Sequence, residues 1–491
     1  MKITRRSVSL FLVFTILVFC VACSGTVDAD KNVESKTSEQ STESAKPDAP
    51  AEYDGIFRVG YARVDITPDT PIELNTGDAL TRVKEHLFAT CVAVFDGETT
   101  LLLYSLDVKN ISGSYIDYMK MRVKTMTGVP ASNIIINPMH NHSAPDPSER
   151  SAALSKWTAR LLGQMASIGK EAIADLSDAQ MYMGKAKTTN LAFVRRYIHE
   201  DGSFSSIHYR GASTSPIVAH ESEADDTAQI IRMVREDKKD VILTNWQCHV
   251  AHAIAVMPAT VSGDYVYYLR EGIESADGDA LVMFFLGAAG NINTSVKINE
   301  RNIAFGNYKK VGEKLADAIV SELDSLERIS AGKIKIKTVV YNAEYRTESA
   351  ERIAQAKEIA ASGGVGSTQY NAMLDKYGFK SVYEVSRVIS LEALAGKTSP
   401  LELTVVGFGD LAFSTIPYEM FDTNGMELKE ASPYKMTFIL TCTGKGEAGY
   451  VPSALAVGNG GYEVYQSLVK YGTAEAVVET VLRELNKLYE K

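Results

Sequence analysis

The stretch NIIINPMHNHSAPD, Asn133 to Asp146, decides the fold. Ile134-Ile135-Ile136 is a short apolar run and reads as a buried strand. It runs into His140-Asn141-His142 and stops at the breaker Pro145. Two imidazoles two residues apart point the same way if the backbone stays extended. A second stretch repeats the plan. DVILTNWQCHVAH, Asp240 to His252, is an apolar strand that ends in His249 and, three residues later, His252. Four of the eight histidines thus sit just past two buried strands. Ligands in open α/β sheets bind beyond the carboxyl ends of strands, so the two stretches read as one half of a metal site.

Working outward, apolar strands alternate with amphipathic helices. HLFATCVAVFDGETTLLLYSLDV reads as a hairpin turning at Asp96-Gly97. Residues 151–175 read as a long amphipathic helix, and 307–328 as helical. AQIIRMVRED and DVILTNWQCH read as neighbouring strands. ALVMFFLGAAGNINTS is an apolar strand breaking into a Gly-rich turn, which lacks the Lys-Ser/Thr of a phosphate-binding loop. Residues 349–396 read as an inserted helical hairpin, and GNGGY near 458–462 as a loop bordering the cleft. Hairpins and crossovers together predict a single large α/β domain, residues 54–491, with a mixed β-sheet flanked by helices.

The 491 residues and a 45% hydrophobic fraction suffice for a large core. A net charge of -10 argues against nucleic acid as a partner. Residues 1–23 have a basic start, an apolar stretch too short to span a bilayer comfortably, and Cys20-Val21-Ala22-Cys23, which resembles a bacterial lipobox. The reading is a signal peptide with lipidation at Cys23. Residues 24–53 are polar, too poor in apolar groups to fold, and form a tether of roughly 30 Å. The expected location is extracytoplasmic, anchored to a membrane. Of the remaining cysteines, Cys248 neighbours His249 but reads as a buried inert thiol, since strand neighbours face opposite ways.

These landmarks, in this order, resemble the catalytic domain of the neutral/alkaline (non-lysosomal) ceramidase family. The family's HxHSGP stretch is similar to His140-Asn141-His142-Ser143-Ala144-Pro145. Its Asn-rich strand with a histidine and following Ser-Asp loop resembles NWQCHVAH and VSGDY. Its Gly-Asp-Val-Ser-Pro-Asn resembles Gly290 to Ser295, its Pro-Gly-Glu resembles Pro417-Tyr418-Glu419, and its Gly-Tyr resembles Gly449-Tyr450. The resemblance implies one zinc ion per chain, held by His140, His249, Glu419 and Tyr450. It implies zinc-dependent hydrolysis of a non-peptide C–N amide, in a small-molecule or lipid substrate, with zinc acidifying a water. His142 is expected as proton shuttle, Arg195 beside the substrate carbonyl and Asp264 as orienter of a histidine. Asn293 stands where the family has serine, which removes a serine nucleophile and leaves an amide to steady the oxyanion. The reading expects no counterpart of the family's C-terminal immunoglobulin-like domain within residues 54–491. Two rival readings are a two-metal phosphoesterase built on His140, His142, His249, His252 and Asp264, and a non-catalytic ligand-binding lipoprotein.

Overall fold

The computed structural model describes residues 55–74, 79–149, 151–210, 212–294, 307–446 and 448–490. The leader, the tether and Cys23 lie outside the described residues. Among the described residues, no helix is long and apolar enough to cross a membrane.

The apolar runs form a large mixed sheet. Its strand order is Ala280–Leu286, Asp240–Trp246, Thr227–Arg235, Ser177–Lys187, Arg58–Asp65, Phe88–Phe95, Thr100–Leu106, Ile134–Pro138. Both histidine-bearing strands lie in parallel pairs, Ile134–Pro138 with Thr100–Leu106 and Asp240–Trp246 with Ala280–Leu286. The remaining neighbours along this path are antiparallel.

A second sheet, which the sequence reading did not separate from the first, packs on one face. It runs Lys335–Glu344, Thr398–Phe408, Leu411–Ile416, Met436–Thr441. Alternation then explains the unbroken apolar runs, because strands buried on both faces need no polar positions. Ile135, Leu243 and Phe285 face Phe413 and Phe438 of the second sheet. Ile134 and Ile136 face the other way, into a core shared with helices Gly113–Thr127 and Ala152–Ala174. Ile242 and Phe284 do the same toward helices Asp264–Ala276 and Tyr308–Val320. Helix Thr473–Tyr489 covers the outer face of the second sheet through Val477, Val481 and Leu485. The layers are therefore helix, sheet, sheet, helix.

Local chemistry sets the helix ends. Ser151 caps the long helix by accepting from the Leu154 amide, which satisfies one orphan N–H of the first turn. Trp157, Leu161, Met165, Ile168 and Ala172 then repeat at helical spacing along its buried face. The helix read over 307–328 stops at Val320, and Glu327–Ile329 instead joins the large sheet beside Ser177–Lys187. Residues 350–394 carry three helices, Ala350–Ala361, Thr368–Tyr377 and Val382–Leu394, with a small core of their own. The GNGGY stretch is more ordered than read: Gly460 and Gly461 separate the short helices Ala454–Asn459 and Tyr462–Gln466.

The large sheet curls until its two end strands meet. The Leu286 amide donates to Asn137 Oδ1 at 3.2 Å, and Ser105 Oγ donates to the Phe284 carbonyl at 2.6 Å. Asn137 Nδ2 also donates to the Thr441 carbonyl, and Asn245 Nδ2 to the carbonyls of Phe285 and Ile439. These two buried amides tie both histidine strands to strand Met436–Thr441 of the second sheet. Strands far apart in the sheet order thus end at one place.

Candidate metal centre

Five strands deliver the site. His140 follows Ile134–Pro138, His249 follows Asp240–Trp246, Asn293 follows Ala280–Leu286, Glu419 follows Leu411–Ile416 and Cys442 follows Met436–Thr441. The His140–His142 backbone is not extended as read, since His140 has φ 54°. The turn still brings the rings together. Ring centroids lie 4.7 Å apart for His140 and His142, 5.3 Å for His140 and His249, and 6.0 Å for His142 and His249. One nitrogen from each ring lies within 4.8 Å of the others, so His140, His142 and His249 form a group able to hold a metal ion.

Glu419 and Tyr450 arrive together. They are register partners in a two-stranded parallel ladder of Glu419–Met420 and Tyr450–Val451. Glu419 thus sits on this short ladder, and the next helix begins at Asp422. Glu419 Oε2 lies 2.9 Å from His249 Nε2 and 3.4 Å from His140 Nε2. Tyr450 Oη lies 3.4 Å from His249 Nε2. Gly290 makes room for the ladder: a Cβ there would stand 2.7 Å from the Glu419 carbonyl oxygen.

Hydrogen bonds fix which ring nitrogens face inward. His140 Nδ1 lies 2.7 Å from Asn110 Oδ1, and His249 Nδ1 lies 2.5 Å from the Ala289 carbonyl. Carbonyl oxygens only accept, so both Nδ1 atoms carry protons and both Nε2 atoms turn toward Glu419. Two nitrogen lone pairs and a carboxylate then face one another at contact distance, an arrangement that needs a proton or a cation between them. His142 Nε2 is buried and has no hydrogen-bond partner. Two imidazoles with a carboxylate, a third imidazole and a phenol form a donor set that suits zinc.

The electrostatics agree. Burial works against the charged form of His140, yet Glu419 outweighs it and raises the pKa to about 10. Glu419 is held well below the carboxylate range: burial opposes this, but the His140 charge and hydrogen bonds from His140 and His249 dominate. Burial and then the positive neighbours push His142 well below its ordinary value.

The other sequence candidates fall around this centre in different ways. Arg195 is buried; it donates from Nη2 to Tyr450 Oη at 3.1 Å and to the Gly290 carbonyl, and from Nη1 to Asn293 Oδ1 at 3.2 Å. Asp264 binds backbone: Oδ2 accepts from the Ala253 amide at 2.6 Å and Oδ1 from the Tyr265 amide. It thereby fixes the turn carrying His252, whose Nδ1 lies 2.8 Å from Thr294 Oγ1. Among the described residues, the convergent metal-ligating group contains neither His252 nor Asp264. Cys248 is buried and burial pushes its thiol well up, as expected of an inert cysteine. The sequence reading missed Asn110, the Ala289 carbonyl, Cys442 against His140, and Glu463, which binds Arg195.

A cavity of about 360 Å³ opens onto the centre. Its lining includes the polar side chains of His142, His249, Tyr450, Arg195 and Asn293 and the apolar ones of Ile207, Ile254 and Ala255.

No family model matches the sequence, and no curated protein matches it. Solved structures do resemble it in fold, two ceramidases among them. The neutral ceramidase from Pseudomonas aeruginosa aligns with TM-score 0.65 over 88% of this chain and 74% of that one, at 13% identity. A ceramidase complexed with C2 aligns with TM-score 0.64 over 88% and 75%, at 14% identity. The fold is that of the ceramidase catalytic domain. At this identity the likeness concerns architecture, and the chemistry has to be argued from the side chains.

Proposed function

We propose that this chain is a zinc-dependent hydrolase of a non-peptide C–N amide bond, acting on an N-acyl lipid or a related small amide. The observation that carries the reading is the convergence of His140 Nε2, His249 Nε2 and Glu419 Oε2, with both Nδ1 atoms pinned outward, at the end of a cavity in this fold. In this reading His140, His249, Glu419 and Tyr450 hold one zinc ion. When bound, zinc acts as a Lewis acid and lowers the pKa of a water.

The rest of the work falls to the chain. His142 faces the cavity with an unpartnered Nε2, with which it would take a proton from the attacking water and return it to the leaving nitrogen. Asn293 uses Oδ1 to hold Arg195, which leaves its Nδ2 to donate toward a developing oxyanion. Arg195, bonded to Asn293, contributes positive charge to the cavity lining. The apolar lining residues Ile207, Ile254 and Ala255 suit an acyl group. The tether and a lipid at Cys23 complete the proposal by keeping the body at a membrane surface.

The test is metal content together with turnover. Elemental analysis of residues 54–491 should give one zinc per chain, and His140→Ala should lose it. A screen of N-acyl amides with the zinc-loaded protein should then find hydrolysis. Two metals per chain would favour the phosphoesterase reading. Stoichiometric zinc and tight ligand binding without turnover would favour a binding protein. Failure to bind zinc at all would overturn the proposal.

A further inference from the structure

Glu463 is fully buried and bridges two guanidinium groups. Its Oε1 accepts from Arg195 Nε at 2.8 Å, and its Oε2 from Arg196 Nη1 at 3.0 Å. Arg196 is also fully buried, but it has a second carboxylate. Its Nε and Nη2 donate to Glu221 at 2.5 and 2.8 Å, and its Nη2 also reaches the carbonyls of Ala456 and Gly460. Arg195 has no such reserve. Its only ion-pair partner among the described residues is Glu463, and its remaining donors go to Gly290, Asn293 and Tyr450. Two cations and two anions thus balance, with Glu221 serving Arg196 and Glu463 serving both.

The balance matters because of where Arg195 points. One Nη2 bond leads to Tyr450 Oη, and Tyr450 Oη is 3.4 Å from His249 Nε2. The guanidinium is therefore one side chain away from the candidate metal centre, in an interior where charge is poorly screened. An Arg195 left without its carboxylate would repel a divalent cation there. It would also be free to leave Tyr450.

We propose that Glu463 is a positioning residue for the metal centre: by neutralising and orienting Arg195 it sets how tightly the His140–His249–Glu419–Tyr450 cluster binds a divalent cation. This rests on the metal reading above. Glu463 touches neither metal nor substrate, and its effect passes through Arg195 to Tyr450. Glu221 is the internal control, since it is a similar buried carboxylate on the same arginine pair that does not reach Arg195.

The experiment measures zinc affinity by competition with a chromophoric chelator, for the folded wild type, Glu463→Gln, Glu221→Gln, Arg195→Gln and the Arg195→Gln/Glu463→Gln double variant. Outer partners of metal ligands change affinity by about 10–100-fold. Glu463→Gln should fall in that range, and Glu221→Gln should stay within about threefold of wild type, although each removes one buried carboxylate from the arginine pair. The double variant should match Arg195→Gln, because without Arg195 the route from Glu463 to the metal is gone. That comparison decides the matter even if Glu463→Gln alone fails to fold. Equal weakening by Glu221→Gln, or a double variant clearly weaker than Arg195→Gln, would show a merely structural role and overturn the proposal. Wild type that binds no zinc would instead overturn the metal reading on which it rests.

Discussion

Asn110→Ala isolates what one outer hydrogen bond does for the cluster. Asn110 Oδ1 accepts from His140 Nδ1 at 2.7 Å, which fixes the ring's tautomer and its rotation about χ2. The bond itself is worth about 1 kcal/mol, a factor of roughly five. Freeing the ring adds the cost of reorienting Nε2, and partners of this kind typically account for about 10–100-fold in metal affinity. The expected loss for Asn110→Ala is therefore at least about tenfold in zinc affinity, or roughly 1.4 kcal/mol. Stability should change little, because Asn110 is half-buried and water can replace its amide. Asn110→Asp should act the opposite way, since a carboxylate accepts more strongly and makes the imidazole a better ligand. The assay is chelator competition at pH 7 on all three proteins, with urea unfolding alongside. Unchanged affinity in Asn110→Ala, or weaker binding in Asn110→Asp, would refute the claim that this bond aims His140 at a metal.

Four further outcomes are expected. His142→Ala should retain zinc by elemental analysis and lose turnover; loss of zinc would make His142 a ligand rather than a proton carrier. Gly290→Ala places a methyl 2.7 and 2.8 Å from the carbonyls of Glu419 and Met420, so urea unfolding should show a loss of about 1–3 kcal/mol and metal analysis a weakened site. Burial raises Asp422 to about 7, so the folded state prefers it protonated and stability falls as pH rises from about 4 through 7. Asp422→Asn cannot ionise and should exceed wild type by on the order of 2–4 kcal/mol in urea unfolding at pH 8, with the difference closing near pH 4. Zinc at a thousandfold excess over its dissociation constant should stabilise wild type by about 4 kcal/mol against chelator-treated protein, and leave His140→Ala unmoved in the same thermal scans.

The parts of the molecule legible in the sequence are those set by local pattern. The run Ile134–Ile136 announces a strand buried on both faces, and the structure divides its side chains between two cores. The hairpin at Asp96-Gly97 forms with Phe88–Phe95 antiparallel to Thr100–Leu106. Residue type at strand ends carried the site as far as the histidines. Glu419 and Tyr450 needed a family resemblance, because a carboxylate before a helix has an ordinary reading. What stayed hidden depends on partners far away in the chain. Asn110 lies 30 residues from His140, Ala289 lies 40 from His249, and Glu463 lies 268 from Arg195. None of these contacts leaves a periodic trace. The second sheet was hidden for a related reason: strand patterns reveal that a face is buried, not which sheet buries it.

The division between ligands and their supports explains how strands from two sheets can hold a few atoms within ångströms. His140 and His249 lie beyond strands that stand one from each end of the large sheet's order, except that Asp240–Trp246 is shielded by Ala280–Leu286. Nothing within that sheet hydrogen-bonds one to the other as neighbours. Asn137 and Ser105 join the ends of the large sheet, and the buried amides of Asn137 and Asn245 tie both histidine strands to Thr441 and Ile439 of the second sheet. An unpaired buried amide costs more than the bond it forgoes, so these contacts admit one register between the sheets. The same register sets Glu419, which leaves the second sheet after Ile416, opposite histidines that leave the first. The two asparagines in the strands before the cluster thus set the register between the sheets, and Asn110 and the Ala289 carbonyl then set the histidine rings within it.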